Sequence, residues 1–269
     1  VVRFDFEAVA EDYVERRFPG AGRSLRGLPG TRLDWDEEYC RAVAESFHRA
    51  PAAPAPPWLL RSYRSLQRES LMQFRALLDA GLRIEPWHGE GSPYADSGQL
   101  RRSVLSTGVL LVYLTRSGHG PRGTGGPHPM REPSPFRSGG VRFTHNDVFR
   151  AVHDVFGHVV HGNGFGPRGE FRATYCHMRM YPRDVHPVLF TEQVAQICWF
   201  YYGPHLADAE GRLPRRGEPG YVPPPERPYP EQKVVALSPE LLRGFRALFT
   251  EPLAEAGPNT PGGTHRGGR

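Results

Sequence analysis

A chain of 269 residues, 38% hydrophobic and 23% charged, holds enough apolar material for a sizeable core, which excludes a disordered chain or a short disulfide-stapled scaffold. Three cysteines, Cys40, Cys176 and Cys198, without any C-x-x-C spacing, argue against a disulfide framework and a thiolate zinc site. The formal charge of +5 rests almost wholly on arginine, Lys233 being the only lysine, and the arginines are scattered without a basic stripe or a groove-reading module, so no nucleic-acid partner is expected.

In chain order the pattern is dominated by helices. AVAEDYVERRF makes a short amphipathic helix, and a Gly/Arg-rich connector follows it to Gly30. From Leu33, helical spacing at Trp35, Tyr39, Val43 and Phe47 predicts a second helix. PAAPAPP (51–57) is a rigid spacer before the longest periodic segment, 58–82, where Gly81 is a candidate C-cap. RIEPW (83–87) and VLLVYLT (109–115) read as short strands, the second apolar enough to be buried. Residues 117–141 form a long Gly/Pro loop of the kind that is either a lid or simply mobile. Thr144 and Asp147 then fit a capping box with Asp in place of Glu, opening THNDVFRAVHDVFGHVV. A proline-rich loop spans 203–229, a last helix opens at Ser238, and the tail is too polar to fold. The expected organisation is an arm (1–32), one mainly α catalytic domain with a small β component that binds a metal (33–256), and a disordered tail (257–269).

No apolar run approaches the roughly 18–20 residues that cross a bilayer, and the N-terminus lacks a secretory pattern. A soluble, cytoplasmic protein with no membrane partner is expected.

Three successive helices concentrate ligand-type side chains: His153 and His158 on the first, Glu170 and His177 on the second, Glu192 and Gln196 on the third. Imidazole and carboxylate together suit a divalent first-row metal, and two histidines with one carboxylate are the pattern of non-haem iron(II) oxygenases. At about 100° per residue, five residues turn by roughly 140°, so His153 and His158 do not share a face of an ideal α-helix. Convergence requires the helix to fray or kink near Gly157. Glu170 and His177, seven apart, do share a face. Any one of these histidines alone reads more simply as a satisfied polar group; the constellation points to a metal. His161 in HGNG reads as a connector residue, and GNGFGPRG as a turn rather than a phosphate loop, since no strand precedes it.

At HDVFGH the chain resembles the catalytic domain of the pterin-dependent aromatic amino acid hydroxylases, whose H-E-L-L-G-H has the same histidine spacing. ICWF (197–200) is similar to that family's later helix, whose glutamate completes the iron site. The resemblance covers about residues 80–205 and implies a hydroxylase-like core, Fe(II), dioxygen and a small, aromatic amino-acid-like substrate. An ungapped match puts Gly203 at the family's glutamate, with Glu192 eleven residues earlier, roughly 16 Å along a helix. The family's pterin-binding residues find no counterparts, which leaves pterin in doubt. The stretch Asn146 to Trp199 and IEPWHGEGSPY (84–94) are also similar to an uncharacterised domain of phage and plasmid polyproteins. That likeness implies that His153, His158, Glu170, His177, Glu192 and Gln196 belong to one site.

The leading expectation is therefore an iron-dependent oxygenase. His153, His158 and one carboxylate, Glu192 before Glu170, bind the metal; His177 and His205 remain alternatives, and a dinuclear site follows if all the carboxylates and histidines bind. Asp154 and Gln196 orient ligands, and His177 and Glu170 otherwise act in catalysis. Trp87, His88, Glu90, Tyr94, Arg116 and Trp199 line the substrate pocket, arginine suiting a carboxylate. Two other readings stand beside it. One is a metal-dependent hydrolase using His153 and Asp154; the other is a non-catalytic module of mobile elements with structural histidines.

Overall fold

The computed structural model describes residues 4–20, 25, 28–51, 54–118 and 127–252. The expected tail and residues 119–126 of the expected lid lie outside the described residues. In chain order the elements are α1 (Phe6–Arg17), β1 (Arg32–Leu33), α2 (Glu37–Arg49), α3 (Pro57–Asp79), β2 (Arg83–Pro86), α4 (Ser97–Thr107), β3 (Val109–Val112) and α5 (Thr115–Gly118). There follow β4 (Pro133–Ser138), β5 (Val141–Thr144), α6 (His145–His153), α7 (Pro167–Met178), α8 (His186–Leu189), α9 (Gln196–Tyr202), α10 (Pro239–Ala247) and β6 (Phe249–Thr250). The chain is mainly helical, and its strands form three two-stranded sheets: β1 with β6 and β4 with β5 antiparallel, β2 with β3 parallel. No helix among the described residues is long and apolar enough to cross a membrane.

Helix α3 is the beam on which the rest is hung. Pro57 fits its first turn, where a missing N–H costs nothing. At the other end Leu82 N–H donates to the Leu77 carbonyl and Gly81 N–H to Leu78, a Schellman close that places Gly81 at φ +88°. The candidate glycine thus sits one position beyond the cap residue, Ala80. The face with Tyr63, Leu66, Ser70, Gln73 and Leu77 is buried, and α6, α8 and α1 pack around the helix.

Helix α1 is docked: its Phe6, Ala10, Tyr13 and Val14 join the main core. Buried Glu69 on α3 accepts from the Tyr13 hydroxyl at 2.9 Å and from Arg17 at 2.8 and 2.9 Å. Burial alone would raise the Glu69 carboxyl, but Arg17 and Tyr13 hold it below its ordinary range. A lowered folded value stabilises above the ordinary carboxylate range, and that contribution disappears as pH falls through it. Glu69→Gln should cost about 1–3 kcal/mol at neutral pH by losing charge-assisted bonds, with solvent at the 38% exposed Arg17 side chain trimming the effect. Thermal unfolding of both proteins checks this, and their difference should shrink on acidification.

Part of the expected 117–141 loop is a hairpin. β4 and β5 pair across Gly139 and Gly140, at φ +53° and +77°, the two left-handed residues a tight hairpin turn requires. Helix α4, capped by Asp96, also lies where no element was expected. Both features carry sequence signals, a Gly-Gly pair between Ser138 and Val141 and an Asp cap, which the surrounding proline and serine obscure.

Candidate metal centre

Helix α6 opens on the expected capping box. Thr144 Oγ1 accepts the Asp147 N–H at 3.1 Å and Asp147 Oδ2 accepts the Thr144 N–H at 2.8 Å. Asp147 Oδ1 also receives the Thr115 N–H and hydroxyl, at 2.7 and 2.6 Å, which ties the helix start to the end of the parallel strand pair.

Beyond His153 the helix does not fray at Gly157 but stays wound. It widens into a π turn over Asp154–Val159, and the Val160 N–H reaches the Val155 carbonyl, five residues back, at 2.9 Å. Five residues then complete about one turn, so His153 and His158 stand one above the other. Their rings are perpendicular with centroids 5.0 Å apart. Gly157 matters for closeness rather than bending: a Cβ there would lie 3.0 Å from the His153 ring and 3.1 Å from the Ala173 methyl.

Helix α7 crosses this widened turn and delivers Glu170. Glu170 Oε2 lies 3.5 Å from both His153 Nε2 and His158 Nε2, and the three ligand atoms all fall within 4.8 Å of one another. His158 Nδ1 is 3.0 Å from the Asn163 carbonyl. A carbonyl only accepts, so Nδ1 carries a proton and Nε2 is the nitrogen left bare when the His158 ring is neutral. Asn163 in turn donates its amide to the Gly157 carbonyl at 2.8 Å. The GNGFGPRG stretch is a close turn, as expected: a Cβ at Gly169 would strike the Gly164 backbone at 2.1 Å.

Burial alone would raise the Glu170 carboxyl, yet His158 and then His153 hold it down at about 2. Burial also opposes charge on His158, but Glu170, Asp154 and the Asn163 carbonyl outweigh it and lift the imidazole to about 9. His153 and His177 are pushed down by burial, His177 strongly. Asp154 is raised to about 6 by burial, against the pull of His158. Without a metal, a protonated His158 and an ionised Glu170 thus form a buried ion pair at 3.5 Å. A divalent cation would take the same place.

Glu192 does not join this group. It sits on a second π turn, Phe190–Ala195, between α8 and α9. Its oxygens accept from the Tyr63 hydroxyl at 2.5 Å, Gln196 Nε2 at 3.1 Å and Gln232 Nε2 at 3.4 Å, with His128 Nε2 at 3.2 Å. His128 Nδ1 accepts the Met130 N–H at 3.1 Å, so its Nε2 bears the proton that faces Glu192. Burial would raise the Glu192 carboxyl, and His128, Tyr63 and Gln196 together keep it low. Glu192, expected first among the carboxylate ligands, thus lies in a separate network of donors, and the carboxylate grouped with His153 and His158 is that of Glu170. Gln196 does orient a carboxylate, that of Glu192.

Glu170 and Glu192 line one cavity of about 490 Å³, together with Arg150, Gln196, Phe200 and Tyr229. His177 is not in the ligand group; it lies behind His153, with their Nδ1 atoms 3.2 Å apart. Asp154 and His205 are also outside the group, and His205 instead stacks on Trp199 at 3.7 Å.

None of the six expected substrate residues lines this cavity. Trp199 donates to His48 at 3.2 Å, and Trp87 donates to the Gly91 carbonyl at 3.0 Å. Tyr94 is buried with its oxygen accepting the Leu111 N–H at 2.9 Å. His88, Glu90 and Arg116 are exposed. The arginine that does reach the cavity is Arg150. Sequence reasoning also passed over Tyr63 and Gln73, whose signal was polar groups on the apolar face of α3, and His128, Asn163 and Gln232, which lie in loops without periodicity.

No family model matches the chain, and no curated protein or solved structure is significantly similar to it.

Proposed function

We propose that the chain is a non-haem metal enzyme of the oxygenase type, with a single divalent ion, Fe(II) foremost, held by His153, His158 and Glu170. The observation that carries this reading is the convergence of two imidazole nitrogens and one carboxylate oxygen within 4.8 Å, beside a cavity of about 490 Å³. Two histidines and a carboxylate with open positions suit ferrous iron, which when bound would supply the activation of dioxygen. The donor set fits: His158 Nε2 is free of a proton in its neutral form, and Glu170 is ionised. The three hydrogen bonds into Glu192 and the His128 Nε2–H that faces it favour one metal over two.

The cavity walls suit a small amino-acid-like substrate. Arg150 gives its Nη1 to the Tyr113 carbonyl at 3.1 Å and keeps further donors for a carboxylate. Glu192 supplies a fixed negative charge for an ammonium group. Phe149, Phe165, Phe200 and Tyr229 offer flat apolar contact. The hydrolase reading relies on Asp154 beside His153, and Asp154 lies outside the ligand group. Pterin draws no support from any residue described above.

The test is metal analysis of protein purified without a histidine tag, followed by oxygen uptake with a panel of aromatic amino acids. About one iron per chain and substrate-dependent uptake are expected. Zinc or manganese with phosphate release would favour the hydrolase, and no metal at all would favour a structural role for the histidines.

A further inference from the structure

A line of hydrogen bonds runs from His153 away from the cavity, through groups the chemistry does not touch. His153 Nδ1 meets His177 Nδ1 at 3.2 Å, His177 Nε2 meets Gln73 Oε1 at 2.7 Å, and Gln73 Nε2 meets the Met180 carbonyl at 3.2 Å. Both Gln73 and His177 are almost wholly buried, at 0% and 1% exposure, and neither lines the cavity.

The direction of every bond follows from the last one. The Met180 carbonyl can only accept, so the Gln73 amide nitrogen faces it. Turning that amide around would oppose two oxygens at the Met180 end. Gln73 Oε1 therefore faces His177 and can only accept, which puts the His177 proton on Nε2. The His177 ring lies among Phe149, Phe156 and Tyr181, and no carboxylate among the described residues bonds to it, so it carries that one proton. Its Nδ1 is then a bare acceptor, and among the described residues the group it meets is His153 Nδ1. That atom must donate, because the competing acceptor, Glu170 Oε2, lies farther away, 3.5 Å from His153 Nε2, and already faces the proton of His158. The opposite arrangement would leave two buried lone pairs 3.2 Å apart.

We infer that Gln73 and His177 are positioning residues that hold the His153 proton on Nδ1 and turn an unprotonated Nε2 towards Glu170. This rests on the metal-binding reading above and deepens it: one imidazole of the site is oriented by a carbonyl one bond away, the other by a carbonyl three bonds away. His177 is accordingly neither a ligand nor an acid/base group. The relay crosses from α6 to α7 to α3, so docking of the long helix fixes the tautomer at the site.

The experiment reads the protons directly. Two-bond proton–nitrogen correlation spectra of metal-free, ¹⁵N-histidine-labelled protein report which ring nitrogen carries hydrogen. The expected pattern is Nδ1–H on His153 and Nε2–H on His177, and a proton on His153 Nε2 in the wild type would overturn the inference. In parallel, Co(II) titration should show affinity falling about 10–100-fold for Gln73→Leu and for His177→Leu. His177→Asn, whose amide oxygen can still accept from His153 Nδ1, should recover most of the loss. A folded Gln73→Leu protein with unchanged Co(II) affinity would also overturn it. Wild-type protein that shows the expected tautomers and yet binds no Co(II) supports the relay and refutes instead the metal reading.

Discussion

Glu170→Gln should abolish tight metal binding, with affinity falling at least about 100-fold, beyond the range typical of outer-shell changes, while Glu192→Gln keeps it. Glu170 contributes the only carboxylate within 4.8 Å of the two imidazole nitrogens among the described residues. Glutamine replaces an anionic oxygen by a neutral amide and leaves the cation with two neutral nitrogens. At Glu192 the same substitution disturbs bonds to Tyr63, Gln196 and Gln232, at a cost of about 1–3 kcal/mol in stability, but it leaves the three converging atoms in place. Titration of both variants with Co(II), alongside thermal unfolding, separates the two effects. Loss of binding in Glu192→Gln with retention in Glu170→Gln would exchange the roles assigned to these carboxylates.

Gly157→Ala should damage both stability and metal binding, although it adds one methyl group to a helix. Alanine normally favours helical backbone over glycine, and here that gain is outweighed. The added Cβ would stand 3.0 Å from the His153 ring and 3.1 Å from the Ala173 methyl, both nearly buried and with little room to yield. Overpacking of this kind costs about 1–3 kcal/mol. Relief comes by pushing the His153 ring away or lifting α7, and either motion separates His153 from Glu170. The expected result is a lower unfolding temperature together with weaker Co(II) binding, measured on the same preparation. A variant as stable as the parent and binding equally well would show that the π turn tolerates a side chain there.

How far the sequence led is clearest at HDVFGH. The residue types and the Thr144–Asp147 box were legible, because both act over a few residues. The convergence of the histidines was not, since α-helical geometry sets them roughly 140° apart, and only a π turn, fixed by packing against α7, removes that angle. The choice between Glu170 and Glu192 shows the same limit. Both have helical partners at suitable spacing, and the difference lies in which helix crosses the widened turn, a long-range matter. Glu170 and His177 share a face as their spacing requires, yet one meets the cavity and the other meets Gln73, 104 positions away in the chain. The IEPWHGEGSPY segment drew attention by its composition, but Tyr94 spends its hydroxyl oxygen on the Leu111 backbone and the polar residues around it face solvent. Arg150 was missed because it stands inside the helix that carries the motif, where one arginine among many gave no signal.

The most direct test of the metal site is anomalous diffraction from crystals grown with Co(II) or Fe(II), recorded at the absorption edge of the metal. A single strong peak bounded by His153 Nε2, His158 Nε2 and a Glu170 oxygen is the predicted result. A peak at Glu192 and His128, or none within reach of the two histidines, would contradict it.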